Sequence, residues 1–102
     1  MKIVIEIDGV ICTDTDGEYE DAEPIRKNIL AVNRLHDAGN LITFFTSRGY
    51  ESGKDWRDFT EDQLIKWKVQ YDGLEFGKPE ADYYIDDKSL KERDLDWLAS
   101  PK

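Results

Sequence analysis

The residues that most constrain the fold are the first ones. Residues 2 to 8 read KIVIEID, a nearly continuous run of β-branched and apolar side chains. Without the apolar and polar alternation of a half-exposed strand, such a run predicts a central parallel strand covered on both faces. Parallel pairing then requires crossover connections, usually helical, and the rest of the chain supplies them. After the polar, turn-rich residues 9–24 comes IRKNILAVNRLHDAG, in which Ile25, Ile29, Val32 and Leu35 recur at helical spacing and Gly39 provides a stop. Residues 41–47, LITFFTS, read as the second strand, and strand, helix, strand in that order implies a right-handed crossover.

Residues 48–59 contain two glycines and no clear period, which predicts a loop. Thr60 and Gln63 match a capping box for a helix running to about Tyr71, with Leu64 and Trp67 facing inward. A very short strand is expected near residues 74–76 and another at DYYIDD, residues 82–87. Ser89 and Glu92 form a second capping box for a last helix packed through Leu90, Trp97 and Leu98. Alternating strands and helices predict an α/β fold. Residues 1–102 are expected to form a single three-layer Rossmann-like domain with a small parallel sheet, whose ligands would bind beyond the carboxyl ends of the strands.

Composition narrows the function classes. With 14 lysines and arginines against 23 aspartates and glutamates, the net charge is −9 and the basic residues are dispersed. Nucleic-acid and anionic-membrane binding are therefore not expected, because neutralising phosphates needs clustered positive charge. The one cysteine, Cys12, excludes an internal disulfide. No apolar run approaches the roughly 20 residues of a membrane span, and the chain opens without a signal-peptide pattern, so a cytoplasmic location is expected.

Four groups of polar residues fall at or just beyond the strand ends: Glu6 with Asp8, Thr46 with Ser47, Lys78, and Asp86 with Asp87. Side chains two apart on a strand share a face, so Glu6 and Asp8 can converge. Carboxylates from two loops suit Mg²⁺, which prefers hard oxygen ligands completed by water and a substrate phosphate. Lys78 offers a point cation for phosphate, and the Thr46 hydroxyl and following N–H groups offer donors to phosphoryl oxygens. Such a set serves phosphoryl transfer, where positioning and charge stabilisation dominate. Arg48, in the loop after Thr46, is a candidate for a substrate phosphate or sugar. His36, near a helix C-terminus, and Cys12, which has no histidine partner, are expected to be structural. Trp56, Phe59 and Trp67 are expected to pack, and the acidic residues 18–23 to be a solvated loop.

In order, IEIDGV, FFTSRG, FGKP and YYIDD resemble the motifs of the haloacid dehalogenase-like hydrolase superfamily. More narrowly, DGVICT, TSRG and FGKPEADYYIDDKS resemble the small capless phosphatases found with bacterial capsule and polysaccharide biosynthesis genes. The likeness covers roughly residues 2–90. It implies Glu6 at the nucleophile position and Asp8 as general acid/base, also offering its backbone carbonyl to the metal. It further implies Thr46 on the phosphoryl group, Lys78 stabilising nucleophile and phosphate, and Asp86 and Asp87 completing the Mg²⁺ shell. The implied substrate is a small phosphorylated metabolite, such as a sugar phosphate of polysaccharide assembly. No insertion is long enough for a cap domain, so shielding the open site would fall to residues 47–59, a bulky substrate or a second copy in a homo-oligomer.

The departure is Glu6, where the superfamily places an aspartate. The extra methylene displaces the carboxylate by up to ~1.5 Å, and a misplacement of about 1 Å can lower turnover about a hundredfold. A non-catalytic Mg²⁺- and phosphate-binding module is therefore the second functional class. A phospho-acceptor receiver domain is a third, disfavoured because its acceptor aspartate belongs mid-chain, ahead of the threonine.

Overall fold

The computed structural model describes residues 1–77 and 82–85 together with Leu95 and Ala99. The elements in order are β1 (Lys2–Glu6), a 3-10 turn (Tyr19–Asp21), α1 (Arg26–Asp37), β2 (Leu41–Phe45), α2 (Arg57–Lys66), β3 (Gly73–Glu75) and β4 (Tyr83–Ile85). The four strands form one parallel sheet in the order β3-β2-β1-β4, with Ile3 beside Ile42 and Tyr83, and Ile5 beside Phe44 and Ile85. The expected central strand is thus β1. Both short edge strands are secured in the same way. Asp72 and Asp82, each just ahead of its strand, accept the neighbouring strand's N–H at 2.8 Å, from Ile42 and Lys2 respectively.

The core gathers Ile3, Ile5, Ile7, Ile42, Phe44, Leu74 and Ile85 from the sheet with Ile29, Val32, Leu35, Leu64 and Trp67 from and beside the helices. Helix α1 holds the turn that follows α2: Arg26 donates to the Trp67 carbonyl at 2.6 Å, and Asn33 donates to that of Lys68 at 3.1 Å. The last predicted helix and its capping residues lie outside the described residues, apart from Leu95 and Ala99. Both of these are helical, and Leu95 is fully buried in the same core.

Helix α1 ends as its glycine predicts. Gly39, at φ +96°, donates to His36 and Asn40 donates to Leu35, the paired bonds of a Schellman stop. Helix α2 uses the same pair of bonds, Lys68 to Ile65 and Val69 to Leu64, with Lys68 at φ +59° in the place usually taken by glycine. That substitution ends the helix at Lys66 rather than near Tyr71. Its start also differs from expectation. Thr60 donates its N–H to the Trp56 carbonyl at 2.9 Å and so sits inside α2, not at its cap. The buried face of α2 is Thr60, Gln63 and Leu64, two polar residues and one apolar.

Chain order runs β1, β2, β3 in one direction across the sheet and then returns to the far side of β1. This reversal places the topological switch point beside β1, where open α/β sheets bind ligands. Among the described residues no helix is long and apolar enough to cross a membrane, and no inserted segment forms a cap domain.

Candidate functional site

Strand β1 ends at Glu6, two residues earlier than the apolar run predicts, because the chain then turns sharply. Val10 and Ile11 both donate to the Ile7 carbonyl, at 3.2 and 3.1 Å, while Asp8 bridges to Cys12. The turn is pinned from below by Asn28 of α1, fully buried, whose side-chain N–H donates to the Val10 carbonyl at 2.7 Å. Asp8 is thereby fixed at the mouth of the switch point.

Arg48 corrects the expectation of a loop arginine reaching for substrate. Its side chain is fully buried, and all five N–H donors have acceptors. Nε donates to Asp8 Oδ2 at 3.0 Å and Nη2 to Asp8 Oδ1 at 2.9 Å, a bidentate pair. Nη1 donates to Thr60 Oγ1 at 3.1 Å and Gln63 Oε1 at 2.8 Å, and Nη2 also faces Cys12 Sγ at 3.9 Å. The guanidinium stacks on the Tyr19 ring at 4.5 Å, and Gln63 Nε2 donates to the Tyr19 carbonyl at 2.8 Å. One arginine thus holds Asp8, the inner face of α2 and the 3-10 turn together.

Glu6, Asp8 and Ser47 line one hollow of about 440 Å³, joined there by Asp14, Asp16 and Tyr19 from the segment after β1. Thr46 lines the adjoining hollow instead. It is buried, and its hydroxyl oxygen accepts the Arg48 N–H at 3.1 Å, shaping the turn that leaves β2. Lys78, Asp86 and Asp87 lie outside the described residues. Among the described residues no three His, Cys, Asp or Glu side chains are placed to hold a metal ion. Both Asp8 side-chain oxygens accept from Arg48, and the Asp86 and Asp87 part of the expected Mg²⁺ shell lies outside the described residues.

Cys12 is fully buried, with Sγ 3.6 Å from Asp8 Oδ1. Burial, and then the Asp8 carboxylate, push its thiol up to about 12, which suits a packing residue and not a nucleophile. Burial followed by Asp8 also raises the Tyr19 phenol. His36 faces Asp72 at 3.6 Å, away from this cluster.

The sequence reading missed Thr60 and Gln63 as site residues. The signal present was a threonine and a glutamine at i and i+3, with Leu64 next to the glutamine, on one helical face. Polar side chains inside an otherwise buried face require buried hydrogen-bond partners.

Neither a protein-family model nor a curated protein matches the chain. Among solved structures, it is similar to a target protein from Vibrio cholerae, at 23% identity and TM-score 0.71, covering 99% of this chain and 89% of the other. It is similar to a D,D-heptose 1,7-bisphosphate phosphatase from B. bronchiseptica, solved with magnesium and phosphate, at 19% identity and TM-score 0.56, covering 79% and 51%. A chain of a Pnkp1/Rnl/Hen1 complex is similar at 13% identity and TM-score 0.59, covering 95% and 32%. This chain therefore spans about half of the heptose phosphatase and a third of the last neighbour. The fold these likenesses establish is a small α/β one built on a parallel sheet.

Proposed function

We propose that this protein is a Mg²⁺-dependent phosphomonoesterase acting on a small phosphorylated metabolite, a sugar phosphate of polysaccharide assembly being the class its motifs resemble. The observation that carries the reading is that β1 and the turn after it bring Glu6 and Asp8 to one hollow at the switch point, with Asp8 held bidentately by a buried arginine. The fold shared with a phosphatase solved with magnesium and phosphate supports it.

On this reading the Glu6 carboxylate attacks phosphorus, an acyl phosphate forms and the ester P–O bond breaks. The leaving oxygen takes a proton from Asp8. Water then attacks the acyl phosphate, Asp8 takes its proton, and phosphate and free Glu6 result. Both Asp8 oxygens accept from Arg48, which holds the carboxyl in place while a remaining lone pair takes the proton. Arg48 therefore positions Asp8 and does not bind substrate. Thr46, Ser47 and Lys78 would hold the phosphoryl group. Glu6, Asp86 and Asp87 would hold Mg²⁺, which supplies charge neutralisation when bound.

Glu6 also favours a second reading, a Mg²⁺- and phosphate-binding module without turnover. Phosphate release from a broad phosphoester panel, with Mg²⁺ and with EDTA, tests both. The phosphomonoesterase reading expects Mg²⁺-dependent release by the unaltered chain and, from the ~1.5 Å that glutamate adds, an increase of about a hundredfold in Glu6→Asp. Release by Glu6→Asp alone supports the binding module. Release by neither chain overturns the phosphatase reading.

A further inference from the structure

Residues 46–56 separate two hollows, the acidic one that holds Glu6 and Asp8 and a second of about 350 Å³. The second has aromatic walls, Tyr50, Trp56 and Phe76, with Asp55 also in its lining, and Tyr50, Lys54 and Trp56 line both. The Lys54 ammonium stands over the Trp56 ring, 4.6 Å from its centroid. Trp56 is itself fixed by edge contacts with Tyr19 at 4.8 Å and Phe59 at 5.2 Å.

The loop that carries this pair has a set shape. Tyr50 donates to the Ser47 carbonyl at 3.0 Å, Gly53 to that of Gly49 at 2.8 Å, and Lys54 to Ser52 Oγ at 3.2 Å. Gly49 sits at φ +87°, where a Cβ would overlap the Lys54 carbonyl oxygen and approach Trp56 Cδ1 to 3.2 Å. A residue without a side chain is thus required for Lys54 and Trp56 to stand where they do.

Charge gives the junction its meaning. The acidic hollow carries Glu6, Asp8, Asp14, Asp16 and Glu51, and the donors of Arg48 are all taken. Lys54 is the lysine that reaches both hollows among the described residues. Aromatic walls suit the apolar face of a sugar ring, and a lysine at their edge suits an anionic oxygen as a point charge.

We propose that the second hollow is a subsite for the leaving group, selecting a sugar that bears its own anionic substituent, a second phosphate or a carboxylate, which Lys54 Nζ reads. The proposal rests on the phosphomonoesterase reading and names the substrate class for it.

The test compares glucose 1-phosphate, glucose 1,6-bisphosphate and glucuronic acid 1-phosphate as probes. At least one acidic sugar is expected to exceed glucose 1-phosphate about tenfold in kcat/KM, the scale of one hydrogen bond to a charged group. Which acidic sugar does so tells phosphate from carboxylate. Lys54→Met should remove that preference through KM, and Lys54→Arg should retain it. Equal losses on all three sugars, or a preference that survives Lys54→Met, overturn the proposal. Calorimetric titration of the same sugars into the unaltered chain and Lys54→Met needs no turnover. Lys54-dependent binding without phosphate release upholds the subsite and removes the catalytic reading. Release with no Lys54 dependence in either measurement does the reverse.

Discussion

Replacing Arg48 with methionine removes a charge that the fold has enclosed, and the consequence can be worked from its contacts. Asp8, whose side chain is 16% exposed, loses both N–H partners, and Thr60 Oγ1 and Gln63 Oε1 lose their donor. Removing one partner of a buried pair typically costs about 3 to 5 kcal/mol, because the remaining charge stays enclosed without compensation. Against the roughly 5 to 15 kcal/mol that stabilises a domain, this is a large share. With a urea slope of about 1.5 kcal/mol per molar, the midpoint should fall by about 2 to 3 M. Asp8→Asn in the same background removes the stranded charge, so the double variant should recover about 1 kcal/mol or more relative to Arg48→Met alone. Urea unfolding followed by tryptophan fluorescence and by far-UV circular dichroism measures all four corners of the cycle. A midpoint shift under about 0.5 M for Arg48→Met, or simple additivity of the two substitutions, would refute the buried-pair account.

Three further outcomes are expected. Cys12 should react slowly with a thiol reagent at neutral pH in the native protein and readily in denaturing urea, since its thiol is buried and pushed up to about 12; equal rates would contradict its placement. The same shift sets a pH dependence. A thiol raised in the folded state stabilises fully below its unfolded value, and this contribution is lost as pH climbs from about 8.5 toward 12. Urea midpoints of the parent should therefore fall over that range more steeply than those of Cys12→Ala. Finally, Gly49→Ala should alter the fluorescence of Trp56, read against Trp56→Phe, because the new methyl group meets the Lys54 carbonyl oxygen; an unchanged spectrum would show that the loop absorbs it.

Most of the scaffold was legible in the sequence, for reasons particular residues make plain. The β-branched run of β1 admits few environments other than a buried parallel strand, and Gly39 marks the end of α1 because glycine enters the left-handed region at little cost. Helix α2 was harder. Its buried face is polar because it looks onto Arg48, so residues 57–59 carried no apolar period, and its stop rests on Lys68, a residue with no stop signature. At the site, the position of Glu6 and Asp8 at the end of the apolar run pointed to them, since carboxylates at a strand end are visible locally. The role of Arg48 was not visible, because its partners Asp8 and Thr60 lie 40 and 12 residues away and a lone arginine in a loop has no local mark of burial.

That separation bears on the order in which the molecule assembles. Arg48 must give up its hydration, and compensation arrives only when the turn after β1 and the inner face of α2 are both in place. A half-formed chain, with β1 and β2 paired but α2 undocked, would leave the guanidinium partly wet and Asp8 free to swing. Long-range closure of this kind falls late on the route to the native state. Substitutions at Gln63 and Thr60 should accordingly quicken unfolding and leave the refolding rate nearly untouched, so the lifetime of the assembled site is governed by a helix that contributes no residue to the chemistry.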